Sequence, residues 1–532
     1  MPRASVLLLN PPVVRCVEPP LGIARVAAVL KRSGAAVRSV DLCAEGLDFL
    51  LRADAADAAS AGTRIALRRR ERSIALLKSQ EGYANADRHK KAALDLGRVL
   101  SAATPDSAVS VTPTDYEERG RSPLRRADLL AAAAEFRENV FFPHFAPRLQ
   151  AALAEFPADT VGLSVNFLSQ ALCAFAVVGF LRSTFPRLRI VLGGGLVTSW
   201  TAQGRLAEGE RFGGLVDAVL SGRGEDAFPA YLGLAAPEGA GRLGAGTTAR
   251  ATPAAPSPAW ATPDFDDFDF SLYFAPGRAL PYNFSTGCPW KRCTFCPEKA
   301  ENSRYLSAGA AAGGEVEELA RRYGGALFHF TDNEIPPSRL AALAAAPPPL
   351  PWYGFARFSA ELADISFCRR LAASGCRMLQ LGLESGDQAV LDALGKGTRI
   401  PTIERILANL AESGIGVYAY VLFGTPAEDR SAAQRTRDFV AAHAAEIDYL
   451  NVAVFNMPAS SEEAATLRTR DFYDGDLSLY REFEHPRGWN RAEVRAFLAK
   501  EFEAERSIRP IVLRAPPFFT SSHAPFLPRP PR

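Results

Sequence analysis

The sequence predicts an α/β protein with two parallel sheets: an N-terminal doubly wound, Rossmann-like domain, then a partial (β/α)6 barrel. Three observations carry this. Short apolar runs ended by Asn, Gly and Pro alternate with amphipathic stretches at the start of the chain, and again from about residue 158. A second, more regular series of six alternations fills 281–456. Between the two lies 236–280, rich in Gly, Pro, Ala and Thr and without periodicity, which reads as a linker. At 532 residues the chain is too long for one ordinary domain.

Composition narrows the function classes. Hydrophobic content of 48% and charged content of 23% are those of a soluble globular protein. A net charge of +2 gives no global electrostatic case for nucleic acid. The N-terminal MPRASVLLLNPPVV lacks the apolar region of a signal peptide, and no apolar run is long enough to span a membrane. Eight cysteines are too few for a disulfide framework, so a reducing, cytoplasmic location is expected.

The first domain is expected over 1–235. Residues 6–9 form a buried strand that runs into Asn10-Pro11-Pro12. After Pro19-Pro20-Leu21-Gly22 comes a helical run stopped by Gly34, and 37–42 is a second strand. This order implies a parallel sheet. The pattern breaks over about 44–157, a helical insertion with runs at 64–73 and 128–136 and a polar part around 101–124. Its Arg68-Arg69-Arg70 cluster is interrupted by Glu71 and reads as a solvated helix face. The sheet resumes at 160–165, followed by a helix at 169–184, RIVLGGG at 189–195 and a last strand and turn at 216–226. Consecutive glycines let backbone approach a ligand, and ligands of such sheets sit beyond the carboxyl ends of the strands. The loops after Asn10, Ser164, Gly193 and Gly222 converge there.

In the second series the strand-like runs are 282–286, 325–331, 352–357, 377–384, 416–424 and 449–455, with helices such as 361–373 and 401–412 between them. In parallel barrels chemistry sits at the carboxyl ends of strands. After the first strand come Cys288, Cys293 and Cys296, spaced C-x4-C-x2-C. Thiolates this close can share a metal or a cluster. A structural zinc site wants four closed ligands, and no fourth Cys or His lies nearby. A four-iron cluster wants one ligand per iron, so three cysteines leave one iron for a non-protein ligand. A zinc knuckle and three unlinked thiols are the competing readings.

The triplet, with the aromatic Phe295 before its third cysteine, resembles the radical S-adenosylmethionine (SAM) enzymes. The commonest family spacing has three residues between the first two cysteines, and here there are four. The resemblance implies a [4Fe-4S] cluster whose open iron binds the amino and carboxylate groups of SAM. It also implies reductive cleavage of SAM to a 5'-deoxyadenosyl radical. Carried onto this chain, Asp332, Asn333 and Glu334 stand where many members have Gly-Gly-Glu, which binds the SAM amine. Arg357 would face the SAM carboxylate, or pair with an acid such as Glu361. Glu384, in GLESG, would hold the ribose hydroxyls, and DQAVLDALGKGTR continues the similarity, its Lys-Gly closing a turn. Gly424, followed by Pro426 in FGTPAED, would lie beside the adenine.

The first domain resembles the cobalamin-binding domain that precedes many radical SAM domains. The likeness lies in LNPP, PPLG, a Ser ending the third strand, LGGG and SGxGE. It implies cobalamin contacts at Asn10, Pro11, Pro12, Leu21, Gly22, Ser164, Asn166, Gly193, Gly194, Gly195, Gly222, Gly224 and Glu225. The Asp-x-His-x-x-Gly sequence that brings an axial histidine to cobalamin elsewhere is absent.

The resemblance therefore implies methylation or rearrangement of an unactivated carbon by a cobalamin-dependent radical SAM enzyme, with a methyltransferase as the first expectation. Its partners would be a small-molecule, lipid or peptide substrate and an electron donor such as flavodoxin or ferredoxin. A tRNA methylthiotransferase and a non-catalytic cobalamin or redox sensor are the alternatives. No substrate and no catalytic side chain can be named. Cys43, Cys173, Cys368 and Cys376 read as buried structural thiols, Cys16 lies in the loop over the proposed cobalamin site, and His329 reads as a core residue. The extension at 457–532 holds a helical stretch at 491–504 and aromatics at 518–519 that could pack on the barrel mouth.

Overall fold

The computed structural model describes residues 4–53, 60–104, 108–234, 260–298, 305–309, 312–516 and 524–527. The chain divides into two compact units, Met1–Arg278 with Tyr473–Leu479, and Ala279–Phe472 with Tyr480–Arg532.

Unit 1 is built on five parallel strands: β1 (Ser5–Asn10), β2 (Ala36–Asp41), β5 (Thr160–Ser164), β6 (Arg189–Gly193) and β7 (Ala218–Val219). Their order in the sheet is β2-β1-β5-β6-β7. β1 pairs Val6 with Val37 on one side and with Thr160 on the other. The strand is apolar on both faces because helices cover both. The chain order reverses between β1 and β5, and such a switch point opens a ligand crevice at the carboxyl ends.

The helical insertion holds α2 (Leu42–Arg52), α3 (Ala61–Leu77), α4 (Gln80–Tyr83), α5 (Ala86–Ala103), α6 (Arg126–Ala134) and α7 (Phe142–Glu155). A hairpin of β3 (Val109–Val111) and β4 (Tyr116–Glu118) falls in the stretch expected to be polar and irregular. Asp41 starts α2 by accepting the N–H groups of Cys43 and Ala44, each at 3.1 Å. It also accepts Asn10 Nδ2 at 2.8 Å and the Tyr273 hydroxyl at 2.7 Å. Burial pushes its pKa up, and these donors pull it back down.

Tyr273 belongs to the stretch read from sequence as a linker. Residues 236–259 of that stretch lie outside the described residues. Residues 260–278 lie on unit 1: Phe265, Phe268, Tyr273 and Phe274 are buried, and Lys31 pairs with Asp264 at 3.0 Å. The alternation of acids and aromatics there is that of a strap laid on a surface, its rings buried and Asp264 and Asp267 tied to Lys31 Nζ and Ser39 N.

Unit 2 is a six-stranded parallel sheet in sequential order: β8 (Ala279–Tyr282), β11 (Leu327–Phe330), β12 (Trp352–Ala356), β13 (Cys376–Glu384), β14 (Gly416–Phe423) and β15 (Tyr449–Val454). The first strand begins at Ala279, ahead of the expected 282. Its continuation, β9 (Ser285–Thr286), makes a small antiparallel pair with β10 (Leu306–Ser307). Tyr353, Met378, Tyr418 and Tyr449, from four different strands, meet in one cluster with Ala524. Only a curved sheet lets those faces converge, so the sheet is a partial barrel.

Residues 524–527 close the amino-terminal end of this barrel, where Arg377 Nη2 donates to Leu527 O at 3.0 Å. The described tail thus sits at the end opposite the expected mouth. Residues 518–519 lie outside the described residues. A helical part of the extension packs on the carboxyl end of β14. Phe497 and Phe502 lie 5.9 and 5.0 Å from the Phe423 ring. His485 Nε2 donates to Thr425 O at 2.9 Å, and its Nδ1 accepts the N–H groups of Arg487 and Trp489, so the ring is a neutral pin.

Candidate functional site

The cysteine loop leaves β8 and β9 at the carboxyl end of the barrel, as the sequence implies. Asp332, just beyond β11, is buried and spends both carboxylate oxygens on the root of that loop. It accepts Phe284 N at 2.9 Å and Ser285 Oγ at 2.5 Å. These two bonds make Asp332 a positioning residue for the loop. Asn333 Nδ2 donates to Glu298 Oε2 at 2.5 Å, beside Cys296. Glu334 reaches the first cysteine, and Cys288 Sγ donates to its Oε2 at 3.1 Å.

Arg357, at the end of β12, has Glu334 rather than Glu361 as its carboxylate, 3.7 Å from Nε. Its Nη1 lies 3.7 Å from Cys293 Sγ, its guanidinium sits 4.3 Å from the Trp290 ring centroid, and Nη2 donates to Lys396 O. One guanidinium therefore touches a cysteine, an acid and the turn after the fourth strand.

Burial pushes the Cys288 thiol up to about 11, with the Glu334 carboxylate adding to it, and burial pushes Cys296 up to about 12. The neighbouring Cys293 and Cys288 thiols add to the upward push on Cys296. Among the described residues, however, no three His, Cys, Asp or Glu side chains converge tightly enough for one ion. Ligands of a single zinc would hold their sulfurs about 3.7 Å apart, from a Zn–S bond of about 2.3 Å in a tetrahedron. In a four-iron cluster each thiolate takes a different iron, so a wider trio is what that cluster requires. Three thiols are the donor set that a four-iron cluster with one open iron takes.

Glu384 ends β13 in a left-handed backbone, φ +61°, where the register with β14 shifts between Gly382 and Glu384. A bulge re-aims a side chain, and a non-glycine residue held at positive φ marks a site the fold constrains. Glu384 Oε1 accepts Lys396 Nζ at 2.8 Å, with the two side chains only 11% and 6% exposed. A Cβ at Gly382 would lie 2.3 Å from Glu384 Oε1 and 2.4 Å from Lys396 Nζ, so glycine there is what admits the pair. Phe295 packs against Val390, Leu394 and Ala432, with Lys396 Nζ 5.8 Å from its ring centroid. Gly424 turns the chain after β14 at φ +81° and donates its N–H to Glu428. Glu428 also accepts Trp489 Nε1 at 2.9 Å, and burial lifts its pKa to about 7.

In unit 1 the residues expected at the switch point come together. Gln170, buried at the start of α8 (Leu168–Thr184), donates to Asn10 Oδ1 at 3.1 Å and Pro11 O at 2.8 Å. Its Oε1 accepts Asn166 N at 2.9 Å. Asn166 bridges to Ser164 Oγ at 3.2 Å and accepts Gly195 N at 2.9 Å. Gly194 sits at φ +108°, and a Cβ there would be 2.4 Å from Val165 O. At Gly193 a Cβ would meet only Leu220 O, at 3.5 Å, and at Gly22 nothing within 4 Å. Thr198 Oγ1 accepts Gly222 N at 3.0 Å, tying the last loop to the glycine turn. Leu21 opens α1 (Leu21–Arg32), and Gly224 and Glu225 open α10 (Gly224–Tyr231). Beside them Arg223 is 15% exposed, and its three guanidinium nitrogens are buried without a hydrogen-bond acceptor. Its nearest carboxylate oxygens, on Asp226 and Glu225, are 3.7 and 3.9 Å away. The guanidinium faces these two carboxylates and the Trp260 ring, 5.2 Å from its centroid, beside the open backbone of the glycine loops.

Sequence reasoning missed Gln170, Trp290, Lys396, Glu428 and Arg223 as parts of these sites. It also missed that Cys16 and Cys43 face each other, Sγ to Sγ 3.1 Å, beneath the first loop.

Residues 282–440 match the Radical SAM superfamily model, so this stretch is a radical SAM domain, the class that works with a [4Fe-4S] cluster and SAM. No curated protein matches the sequence. Among solved structures, the chain is similar to the cobalamin-dependent S-adenosylmethionine radical enzyme OxsB with aqua-cobalamin bound, at 13% identity and a TM-score of 0.58. That match covers 93% of this chain and 66% of the other, so this chain spans just under two thirds of that enzyme's length. It is also similar to the radical S-adenosylmethionine methyltransferase TsrM from Kitasatospora setae, with tryptophan and a SAM analogue bound. There the identity is 18% and the TM-score 0.54, over 88% of this chain and 79% of that one. At these identities the likeness establishes the fold: a Rossmann-like unit followed by a radical SAM barrel.

Proposed function

We propose that the chain is a cobalamin-dependent radical SAM enzyme that acts on an unactivated carbon, with methyl transfer as the outcome. The observation that carries the reading is the cysteine trio at the carboxyl end of a radical SAM barrel, in one chain with a switch-point crevice walled by glycines and Arg223. When bound, the cluster and SAM supply a carbon-centred radical oxidant, and cobalamin supplies a methyl carrier.

The chain's own part is to bind, orient and exclude water. Cys288, Cys293 and Cys296 would hold the cluster, one thiolate to an iron. Asp332 fixes the root of their loop, and Arg357 and Glu334 set the charge beside it. Asn333 and Glu334 would receive the SAM amine, Arg357 its carboxylate, Glu384 the ribose diol, and Phe295 and Gly424 the adenine. Lys396 orients Glu384. In unit 1, Asn10, Pro11, Asn166 and Gly193 to Gly195 offer backbone to the cobalamin, and Arg223 offers charge to an anionic group on it. The electron donor would be a small redox protein such as flavodoxin or ferredoxin. No helix among the described residues is long and apolar enough to cross a membrane.

The test is cobalamin uptake and SAM turnover by the full chain under strictly anaerobic, reducing conditions. Stoichiometric cobalamin in the visible spectrum, with both 5'-deoxyadenosine and S-adenosylhomocysteine formed, supports methyl transfer. 5'-Deoxyadenosine alone would move the reading to rearrangement. Cobalamin retention without SAM cleavage would leave a sensor.

A further inference from the structure

We propose that Trp290 is the positioning residue that makes the four-residue spacing between Cys288 and Cys293 workable. It pins the longer loop to the turn at 394–397 and, through that turn, couples the cluster ligands to the Lys396–Glu384 pair. The inference rests on the cluster reading above and adds to it a role for a residue outside the cysteine pattern.

A loop with one extra residue has more ways to place its first thiol, so something must select one. Lys291 takes up the added length in a left-handed conformation, φ +59°. Trp290 then turns back across the barrel's end, and its Nε1 donates to Gly395 O at 2.9 Å. The ring lies against Gly397, where a Cβ would come within 2.2 Å of Cζ2 and 2.5 Å of Cη2. At Gly395 a Cβ would meet Arg292 O at 2.5 Å. Both glycines also have positive φ, +65° and +70°, so the turn gives up side chains where the loop lands on it.

Three successive carbonyls of the turn face the loop and its surroundings. Leu394 O accepts Thr294 N at 3.1 Å, Gly395 O accepts Trp290 Nε1, and Lys396 O accepts Arg357 Nη2. The indole is flanked by Arg292 and Arg357, at 4.9 and 4.3 Å from its centroid. Hydrogen bonds to ligating sulfurs tune cluster potentials. A half-buried tryptophan that merely covered apolar surface would need neither the glycine pair opposite nor the bond to Gly395 O, and its loss would not change a cluster spectrum.

The test uses the full chain, anaerobically reconstituted, with Trp290→Phe, Trp290→Ala and Gly397→Ala beside wild type. Iron per chain, the EPR spectrum of the reduced cluster with and without SAM, and SAM affinity by equilibrium dialysis are measured. Trp290→Phe keeps the ring and loses the donor. It is expected to hold full iron but to bind SAM about fivefold more weakly, the worth of one hydrogen bond, with a shifted spectrum. Trp290→Ala, and Gly397→Ala by displacing the ring, are expected to retain half the iron or less. If either of these misfolds by circular dichroism, the Phe variant carries the decision. A wild-type four-iron signal with a Phe variant unchanged in spectrum and SAM affinity overturns the proposal and leaves the cluster reading standing. A wild type without a four-iron signal overturns both.

Discussion

Changing Lys396 to Met leaves Glu384 as a carboxylate with almost no solvent and no counter-charge. The pair is 2.8 Å apart, and both side chains are close to nine-tenths buried or more, so solvent screening relieves little of the loss. Removing one member of a buried pair costs about 3–5 kcal/mol, because the remaining charge keeps its desolvation penalty. For a domain the size of unit 2, with about 2–4 °C of Tm per kcal/mol, that is a drop of roughly 6–20 °C. Lys396→Met combined with Glu384→Gln has no orphaned charge and should recover more than half of it. The assay is differential scanning calorimetry of wild type, both single variants and the double variant, read as a cycle. SAM affinity is measured alongside, and it should stay low in the double variant because the carboxylate that would accept both ribose hydroxyls is gone. A single variant melting within a degree of wild type would refute the reasoning. So would a double variant whose loss is the sum of the two singles.

Two further perturbations separate the units. Gly194→Ala combines φ +108° with a Cβ only 2.4 Å from Val165 O, so unit 1 should lose about 2–4 kcal/mol and its cobalamin uptake. Calorimetry should show the unit 1 transition lowered and the unit 2 transition unmoved. Glu428 gives a pH dependence. Its pKa is raised to about 7 in the folded chain, so the native state holds a proton that the unfolded state releases earlier. That contribution is complete below the unfolded carboxyl value of about 4.5 and is lost as pH rises through about 7, on the order of 3 kcal/mol in all. Urea midpoints between pH 5 and 8 should fall in wild type and flatten in Glu428→Gln. Equal slopes in the two proteins would remove Glu428 as the cause.

What was legible in the sequence is what recurs at short range. The cysteine spacing, the strand-end GLESG and FGTPAED segments and the glycine run after the strand at 189–193 each sit in one continuous stretch. Each lands at the carboxyl end of a strand. The partners that finish these sites come from elsewhere in the chain. Asp332 reads as a ligand because it neighbours Glu334, yet the register of β11 beside β8 turns it toward Phe284 and Ser285. Gln170 lies on a helix whose apolar residues face all round, so nothing marks it as the residue holding Asn10 and Pro11. The strap at 260–278 lacks helix or strand periodicity because it follows a surface, and its rings declare burial only once that surface exists. Trp290 falls inside the cysteine motif, but its meaning depends on glycines more than 100 residues away, at 395 and 397.

The account stands most directly on the cysteine loop. The decisive measurement is anaerobic reconstitution with iron and sulfide, then iron counting and EPR with and without SAM, on wild type and on Cys288→Ala/Cys293→Ala/Cys296→Ala. The account predicts about four irons per chain, a reduced-cluster signal that shifts when SAM is added, and loss of both in the triple variant while the chain stays folded. Zinc in place of iron, or a folded wild-type chain with no cluster, would contradict it.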